Sequence, residues 1–362
     1  MIPVKILHTA DGHAGYRQYG FAQRESDFYE ALRQVVEKAI EHKVDAILIA
    51  GDLFDSTKPP ALAVRVVQGL VKIANQHHIR VLGIDGNHDC CDSNWLRICG
   101  IEPLDGIRVL IESRDQSCGV MVGGINATRQ LEFFRKVEAL KLQGPTPILA
   151  IHQAVSELSG FPSDFTALHM ATAFKPLGVQ YCAMGDIHQR GRTIVGGCWF
   201  VYPGSTEVND TSEDGDKSVE ILTCDGQSVQ VDTVPIKTRR FLIKTLESDA
   251  DVDSVLLQAN EPDKPFILGW YRADKRDIGK RAEALLAQAG CMFRIMPFSG
   301  QQGSQEIAQK TFERKGAMLQ LTDAVTTFFE ENTVEFQLVF QFLGNPDNAK
   351  EVARQYVKEK GA

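Results

Sequence analysis

The stretch VKILHTA, residues 4–10, opens an alternation that continues through the first half of the chain. Residues 26–42 follow it with apolar positions on a 3.6-residue period, and VDAILIAGD (44–52) is the next short apolar run. RVLGIDG (80–86) and PILAIHQ (147–153) are further apolar runs that end in polar residues. Short strands separated by amphipathic helices predict a layered α/β domain, whose ligand chemistry collects in loops after the strand C-termini.

The predicted secondary structure changes twice in the second half of the chain. Residues 178–236 read as an all-β region, with a hairpin turn at Asp225-Gly226. Residues 237–298 alternate strand and helix patterns in the order β-α-β-α-β, which predicts a small α+β domain. We therefore expect domains at 1–236 and 237–298, followed by a segment at 299–362.

The C-terminal segment 299–362 begins with SGQQGSQ, a linker by composition. Helical patterns at 314–332 and 348–359 flank the Phe-rich stretch EFQLVFQFLGNPDN. So many aromatic residues argue against a disordered tail. A helical pair this small buries little apolar surface by itself, so we expect the segment to dock on a partner or on the body of its own chain.

Composition limits the class of protein. The 362 residues include 47 acidic and 39 basic side chains, and 43% are apolar, as in a globular protein rather than a disordered one. The net charge of −8 argues against a protein that coats nucleic acid by electrostatics alone. No apolar run is long enough for a membrane helix, and eight scattered cysteines suggest no disulfide framework. We expect a reduced, intracellular protein without a membrane partner.

The predicted helix at 61–76 is apolar on two sides. One stripe contains Leu62, Leu70 and Ile73, and Val67 and Val71 belong to the other. Such a helix needs a second covering surface. A dimer partner and burial inside a thick domain are equally good explanations at this stage.

Five short motifs follow apolar strands in a fixed order. Taken singly each is weak, because a histidine at a strand end is more often a satisfied hydrogen-bonding residue than a ligand. Together they bring carboxylate, imidazole and amide groups to one edge, a set that suits manganese, iron or zinc. Two cations about 3.5–4 Å apart can clamp a phosphate for in-line displacement, so no serine or cysteine nucleophile is needed. The motifs are Asp11-Gly12-His13, Gly51-Asp52-Leu53-Phe54-Asp55, Gly86-Asn87-His88-Asp89, Ile151-His152-Gln153 and Gly185-Asp186-Ile187-His188.

The ordered set resembles the calcineurin-like metallophosphoesterases. More narrowly, LHTADGHAGYRQYG, LIAGDLFDSTKP, GIDGNHD and YPGSTE are similar to the SbcD-type nuclease subunits of DNA double-strand-break repair complexes, and KTRRF resembles the start of their small cap domain. The resemblance covers most of the chain, most closely to about residue 300. It implies a four-layer α/β/β/α sandwich with a small α+β cap domain and a C-terminal helical segment that binds a partner.

The resemblance also implies roles for individual residues. Two divalent metal ions, manganese above all, are expected, with Asp52 shared between them. His88 would be the general acid that protonates the leaving 3′ oxygen, and Asp55 would orient it. The first metal would be held by Asp11, His13, Asp52 and His188, and the second by Asp52, Asn87, His152 and Asp186.

Two positions depart from the family pattern. The family has G-H-x-H at the fifth motif, whereas this chain has Asp186. A carboxylate can still bind a hard cation, so the second site could survive with an altered metal preference or be weakened. Gly12 replaces a bulky residue, which affects the rigidity of the loop rather than metal binding.

Basic side chains give candidate contacts to DNA phosphates. Arg17 and Arg24 follow the first motif, although a solvated surface explains them equally well. Residues 237–298 carry eleven basic and nine acidic side chains, with the basic ones concentrated at 237–244 and 272–281. The acidic stretch 207–220 should not face a phosphate backbone. The candidates in the small domain are Arg239, Arg240, Arg272, Lys275 and Arg276.

The motifs and the resemblance together predict a two-metal phosphodiesterase that acts on DNA. The resemblance implies that it works as a 3′-to-5′ exonuclease and single-strand endonuclease in break processing. The resemblance implies a homodimer that works with an SbcC-type ATPase in the cytoplasm, at the nucleoid if the source is bacterial or phage. One alternative is a metallophosphoesterase of another substrate class. Another is a non-catalytic DNA-binding scaffold, since Asp186 could cost the second metal.

Overall fold

A computed structural model describes residues 2–91, 94–211, 213, 216–261 and 264–298. The predicted linker and partner-binding helices at 299–362 lie outside the described residues. All eight cysteines are free thiols. Among the described helices, none combines the length and apolar character needed to cross a bilayer.

The strands are short, as the sequence pattern predicts. They are β1 (Val4–Thr9), β2 (Ala46–Ala50), β3 (Arg80–Ile84), β4 (Glu102–Pro103), β5 (Arg108–Glu112), β6 (Gly119–Ile125), β7 (Ile148–His152), β8 (Tyr181–Gly185), β9 (Gly191–Val195), β10 (Cys198–Tyr202), β11 (Ser218–Cys224), β12 (Val229–Pro235), β13 (Phe241–Leu246), β14 (Phe266–Arg272) and β15 (Met292–Phe298).

The helices fall between the strands. They are α1 (Ala22–Glu41), α2 (Ala61–Gln76), α3 (Trp95–Ile98), α4 (Gln130–Ala139), α5 (Ser156–Ser159), α6 (Ala167–Phe174), α7 (Asp249–Ala259) and α8 (Arg276–Gln288). The helix predicted at 26–42 begins earlier than expected, at Ala22, because the charged residues before Phe28 form its first turns. Short 3₁₀ turns cover Gln18–Gly20, Lys175–Leu177 and Ala273–Lys275.

Two six-stranded sheets form the centre of the main body. The first has the order β12-β11-β1-β2-β3-β4 and the second the order β5-β6-β7-β8-β10-β9. Ile6 and Leu48 of the first sheet share a buried core with Ala150 and Val201 of the second. Helices α1 and α2 cover the outer face of the first sheet, and α4 and α6 that of the second. The α/β/β/α layering implied by the resemblance is confirmed.

A third sheet lies after residue 240, and its three strands are all parallel in the order β13-β14-β15. Helices α7 and α8 connect the strands and pack on one core that includes Leu246, Val255 and Leu286. A capping box between Ser248 and Asp251 starts α7 by satisfying the first free backbone N–H groups. The element order agrees with the pattern in the sequence, and the boundaries at 236 and 298 stay predictions.

The two apolar stripes of helix α2 are buried to different extents within the body of the protein. Val67 and Val71 are buried against the first sheet. Leu62 and Ile73, on the other stripe, keep 53% and 42% of their surface exposed. Leu70, on the same stripe, is partly buried against the core of the first sheet. The described residues therefore leave the Leu62 and Ile73 positions of this stripe uncovered.

Candidate metal centre

The polar motifs lie at the carboxyl ends of five parallel strands. In the first sheet β1, β2 and β3 run parallel, and Asp11, Asp52 and Asn87 come shortly after them. In the second sheet β7 and β8 run parallel; His152 ends β7 and Asp186 directly follows β8. Because the two sheets are stacked, the loops of both meet at one edge of the sandwich.

One part of the cluster consists of Asp11, His13 and His188. Their candidate donor atoms lie within 4.8 Å of one another. Nε2 of His13 is 3.2 Å from Nε2 of His188, so two imidazole nitrogens face each other. Nδ1 of His13 is buried without a hydrogen bond, and an Asp55 carboxylate oxygen lies 3.5 Å from it.

The second part surrounds Nε2 of His152. That atom lies 3.0 Å from the Asn87 side-chain oxygen, 3.3 Å from an Asp52 oxygen and 3.9 Å from an Asp186 oxygen. Nδ1 of His152 donates to the Ala50 carbonyl at 2.8 Å, which leaves Nε2 to face the oxygens. Asp52 also lies near Asp11 and near His13, so it connects the two parts.

Two glycines let these side chains approach the backbone. A Cβ atom at Gly86 would lie 2.0 Å from an Asp52 carboxylate oxygen, and one at Gly51 would lie 2.3 Å from Nδ1 of His152. Gly51 also has a φ of +89°, which L side chains rarely adopt. Gly51 and Gly86 are therefore required, because any side chain at these positions would collide with Asp52 or His152.

In the absence of a cation, a proton on His152 offsets part of the negative charge of the cluster. Burial lowers the pKa of His152, but the hydrogen bond and charge of Asp52, with two further carboxylates, outweigh it and raise this pKa to about 10. Burial raises the pKa of Asp52, but the bond to His152 and the imidazole charges lower it to about 2. A divalent cation would supply the positive charge that this proton supplies. The donor set, with its facing imidazole nitrogens and its carboxylates, therefore fits divalent metal ions.

His88 and Asp55 lie at the rim of the cluster and contact each other directly. Nδ1 of the exposed His88 hydrogen-bonds to the backbone carbonyl of Asp55 at 3.0 Å, and not to its carboxylate. The Asp55 carboxylate faces His13 instead. Asp55 therefore contacts His88 through its main chain, and the role of Asp55 in orienting His88 stays a prediction.

Two residues that contact the candidate site were not predicted from the sequence. Asp89 accepts from the backbone N–H of Gly86 at 2.7 Å and of Phe54 at 3.1 Å, so one buried carboxylate ties two of the loops together. Its place in Gly86-Asn87-His88-Asp89 was the available signal. Glu213, in the acidic stretch, accepts a hydrogen bond from Nδ1 of His188 at 2.9 Å. No local pattern pointed to it.

Among the candidate DNA contacts, Arg24 is a correction. Its side chain has no exposed surface and donates to Gln18, Asp27 and Glu207. A phosphate backbone cannot reach it, because α1 packs it beneath the loop that carries Glu207.

Arg239 is also largely engaged inside the protein. Its side chain is 14% exposed and donates twice to Asp27, at 2.5 and 2.7 Å. Arg17 is exposed, as are the remaining basic candidates apart from Lys275, which is partly exposed. Their contact with DNA stays a prediction. These candidates are Arg240, paired with Glu261; Arg272, paired with Asp274; Lys275, bonded to the Glu247 carbonyl; and Arg276.

The part of the chain that carries the five motifs also matches a known protein family. The family model of calcineurin-like phosphoesterases matches residues 4–190. A DNA double-strand break repair protein Mre11 from Thermoplasma acidophilum is 30% identical over 264 residues, which are 68% of each chain. The protein of the same name from Methanosarcina mazei is 32% identical over 261 residues. That match covers 68% of this chain, and the chain spans only 40% of the length of that relative.

The solved structures resemble this chain more distantly. A dimetal phosphatase from Danio rerio is 12% identical and superimposes with a TM-score of 0.42. The match covers 65% of this chain and 99% of that one.

Proposed function

We propose a function from one premise: the chain belongs to the calcineurin-like phosphoesterase family and, within it, to the group of the Mre11 repair proteins. The function is hydrolysis of phosphodiester bonds in DNA with two divalent metal ions, manganese being the best candidate. We expect both 3′-to-5′ exonuclease and single-strand endonuclease activity. The names of the relatives and the predicted DNA-contacting domain at 237–298 support DNA as the substrate.

The observation that carries the proposal is the meeting of five strand ends at one edge. Loops from two different sheets bring three carboxylates, an amide and several imidazoles within a few ångströms of one another. A purely structural polar cluster would bury fewer like charges, since each uncompensated carboxylate in a core is costly.

The described geometry supports a specific division of ligands. Asp11, His13, Asp52 and His188 would hold the first ion. The second ion would be held by Asp52, Asn87, His152 and Asp186. Ions bound there would neutralise phosphate charge and make a water molecule nucleophilic at neutral pH.

The chain's own residues would supply the remaining chemistry. His88 is exposed at the rim, where a substrate can reach it. Because a carbonyl oxygen only accepts, the contact with Asp55 keeps a proton on Nδ1 of His88. The proton that is exchanged with the leaving 3′ oxygen is then the one on Nε2, which fits a general acid.

One assay tests the function. The full chain would be freed of metal, reloaded with Mn²⁺ and given end-labelled duplex DNA, single-stranded DNA and p-nitrophenyl phosphate, with metal content measured in parallel. We expect two ions per chain and manganese-dependent cleavage of both DNA substrates. Hydrolysis of the small ester alone would favour a different substrate class. DNA binding with one ion or none, and no cleavage, would favour a scaffold.

Two partners complete the proposal. We propose that residues 299–362 bind an SbcC-type ATPase. Their sequence predicts two helices with apolar sides, and a pair of helices this small cannot bury those sides by itself. Deleting 301–362 should abolish that association and leave cleavage of single strands intact. We also propose a homodimer through the exposed stripe of α2, where Leu62 and Ile73 leave apolar surface uncovered.

A further inference from the structure

The carboxylate of Glu213 is saturated with hydrogen-bond donors. One oxygen accepts from Nδ1 of His188 at 2.9 Å and from the backbone N–H of Asp210 at 3.1 Å. The other accepts from Nζ of Lys217 at 2.6 Å and from the backbone N–H of Asn209 at 3.1 Å. The side chains of Glu213 and Lys217 are each only 5% exposed. The buried ion pair of Glu213 and Lys217 is therefore in direct contact with His188 of the candidate metal centre.

Lys217 is itself held in place by three hydrogen bonds. Its Nζ donates to the backbone carbonyl of His188 at 3.1 Å and to the Ser205 hydroxyl at 2.8 Å, besides Glu213. An ammonium group has three protons, and these three contacts use all of them. The Glu213 carboxylate consequently cannot turn away without leaving the buried cation unpaired, which is costly.

We propose that Glu213 is a positioning residue for His188, and that Lys217 fixes Glu213 in that role. The inference rests on the proposed function, in which Nε2 of His188 faces a metal ion. Glu213 itself is not assigned as a ligand.

The chemical reason is the position of one proton. A carboxylate accepts and cannot donate when ionised, so Nδ1 of His188 must carry the hydrogen. The lone pair is then on Nε2, which lies 3.2 Å from Nε2 of His13 and faces the cluster. The Asn209 amide also approaches Nδ1, at 3.4 Å, but the charged contact from Glu213 is shorter and stronger.

Replacing the carboxylate by an amide should reverse this arrangement. Glu213→Gln keeps the shape but has only one oxygen, and Lys217 requires that oxygen because an ammonium cannot accept a hydrogen bond. The NH₂ group is then turned to Nδ1 of His188 and donates to it, which places the ring proton on Nε2. A protonated Nε2 cannot bind a metal ion.

The test combines two measurements on the full chain. Nitrogen-15 NMR of the metal-free protein reports which ring nitrogen of His188 carries the proton, and titration with Mn²⁺ reports affinity. For Glu213→Gln we expect the proton to move to Nε2 and affinity for one of the two ions to fall about 10–100-fold, as for other partners of metal ligands. The double variant Glu213→Gln/Lys217→Met frees the amide to turn its oxygen to His188 and should recover most of that loss.

The control is Glu220→Gln. Glu220 is also buried and accepts a hydrogen bond from Thr233, but no contact joins it to the cluster. We expect its Mn²⁺ affinity to stay within about threefold of the wild type.

Two outcomes would overturn the inference. The first is a Glu213→Gln variant whose Mn²⁺ affinity and His188 tautomer are the same as in the wild type. The second is a wild-type protein in which Nε2 of His188 carries the proton. If Glu213→Gln does not fold, the tautomer of the wild-type protein still decides. If the wild type binds no Mn²⁺, the proposed metal centre fails, whereas the NMR result for His188 remains informative by itself.

Discussion

Nδ1 of His88 lies 3.0 Å from the backbone carbonyl oxygen of Asp55, which is part of the loop after β2. The orientation of His88 thus depends on the path of the main chain and not on the Asp55 side chain. Asp89 fixes that path, since its carboxylate binds the N–H groups of Gly86 and Phe54. His88 is therefore held in place by two loops that also carry candidate metal ligands.

The first prediction concerns His88→Ala. The substitution removes the proposed general acid but no proposed ligand, so Mn²⁺ stoichiometry should be unchanged while cleavage slows by about 10²–10⁴-fold. Single-turnover cleavage of labelled DNA measures the effect. His77→Ala, an exposed histidine at the end of α2, is the control and should cleave at the wild-type rate. An unimpaired His88→Ala protein would exclude the acid role.

The second prediction concerns Asp186. Its carboxylate lies 3.9 Å from Nε2 of His152, at the position where the family has histidine. Asp186→Ala should lose about one ion per chain and most activity, whereas Asp186→His should retain or raise activity. Metal content after dialysis and cleavage rate measure both. Two tightly bound ions and a full rate in Asp186→Ala would show that Asp186 is not a ligand.

The third prediction concerns pH and His8, which is buried between the two sheets and bonded to the Tyr181 hydroxyl. Burial lowers the pKa of His8 from 6.5 to about 3. Below about pH 6.5 the unfolded chain therefore binds a proton at His8 that the folded protein does not bind. The free energy of unfolding consequently falls as the pH falls. Between pH 7 and pH 5 this amounts to about 2 kcal/mol.

Urea unfolding of metal-free protein at the two pH values checks that figure. His8→Gln should lose about 2 kcal/mol less than the wild type over this interval, and the exposed control His77→Gln should behave like the wild type. An equal loss in His8→Gln would show that His8 is not the responsible group.

The fourth prediction separates Arg24 from Arg17. Arg24→Met would leave the buried carboxylate of Glu207 without its cation, which should lower the free energy of unfolding by about 3–5 kcal/mol. The side chain of Arg17 is 58% exposed, and its pair with Glu25 is long, at 3.4 Å. Arg17→Met should therefore cost less than about 1 kcal/mol. Denaturation with urea measures both, and equal losses would contradict the assignment of Arg24 to the interior.

The fifth prediction concerns the exposed stripe of α2. Ile73→Glu places a charge on the surface proposed for dimerisation, so the dimer should dissociate at micromolar concentration while metal binding stays intact. Sedimentation velocity measures the mass. Leu131→Glu, at an exposed position of α4, is the control and should remain dimeric. A persistent Ile73→Glu dimer would exclude this surface.

The strand-end residues could be predicted because their positions follow from a general rule. Parallel strands present their carboxyl ends at one edge, so Asp11, Asp52 and Asn87 had to lie near one another once β1 to β3 were recognised. The meeting of the two sheets at that edge came from the resemblance and not from the periodicity of the chain.

The errors have a common physical cause. Arg24 can be buried because Glu207, 183 residues away in the sequence, neutralises its charge. No local sequence pattern contains that contact. Glu213 looked like one more acid in an acidic stretch until Lys217 and His188 were seen on either side of it. The role of a charged residue depends on which distant group neutralises it, and composition does not record this.

Four of the proposed ligands have left-handed backbones, with φ of +52° at Asp11, +41° at His13, +47° at Asp52 and +95° at Asp186. Such conformations cost about 1 kcal/mol or more at each non-glycine residue. Glycine would avoid the cost at every one of these positions but would remove a ligand. The protein therefore gives up folding stability at this edge in order to keep the proposed ligands in place.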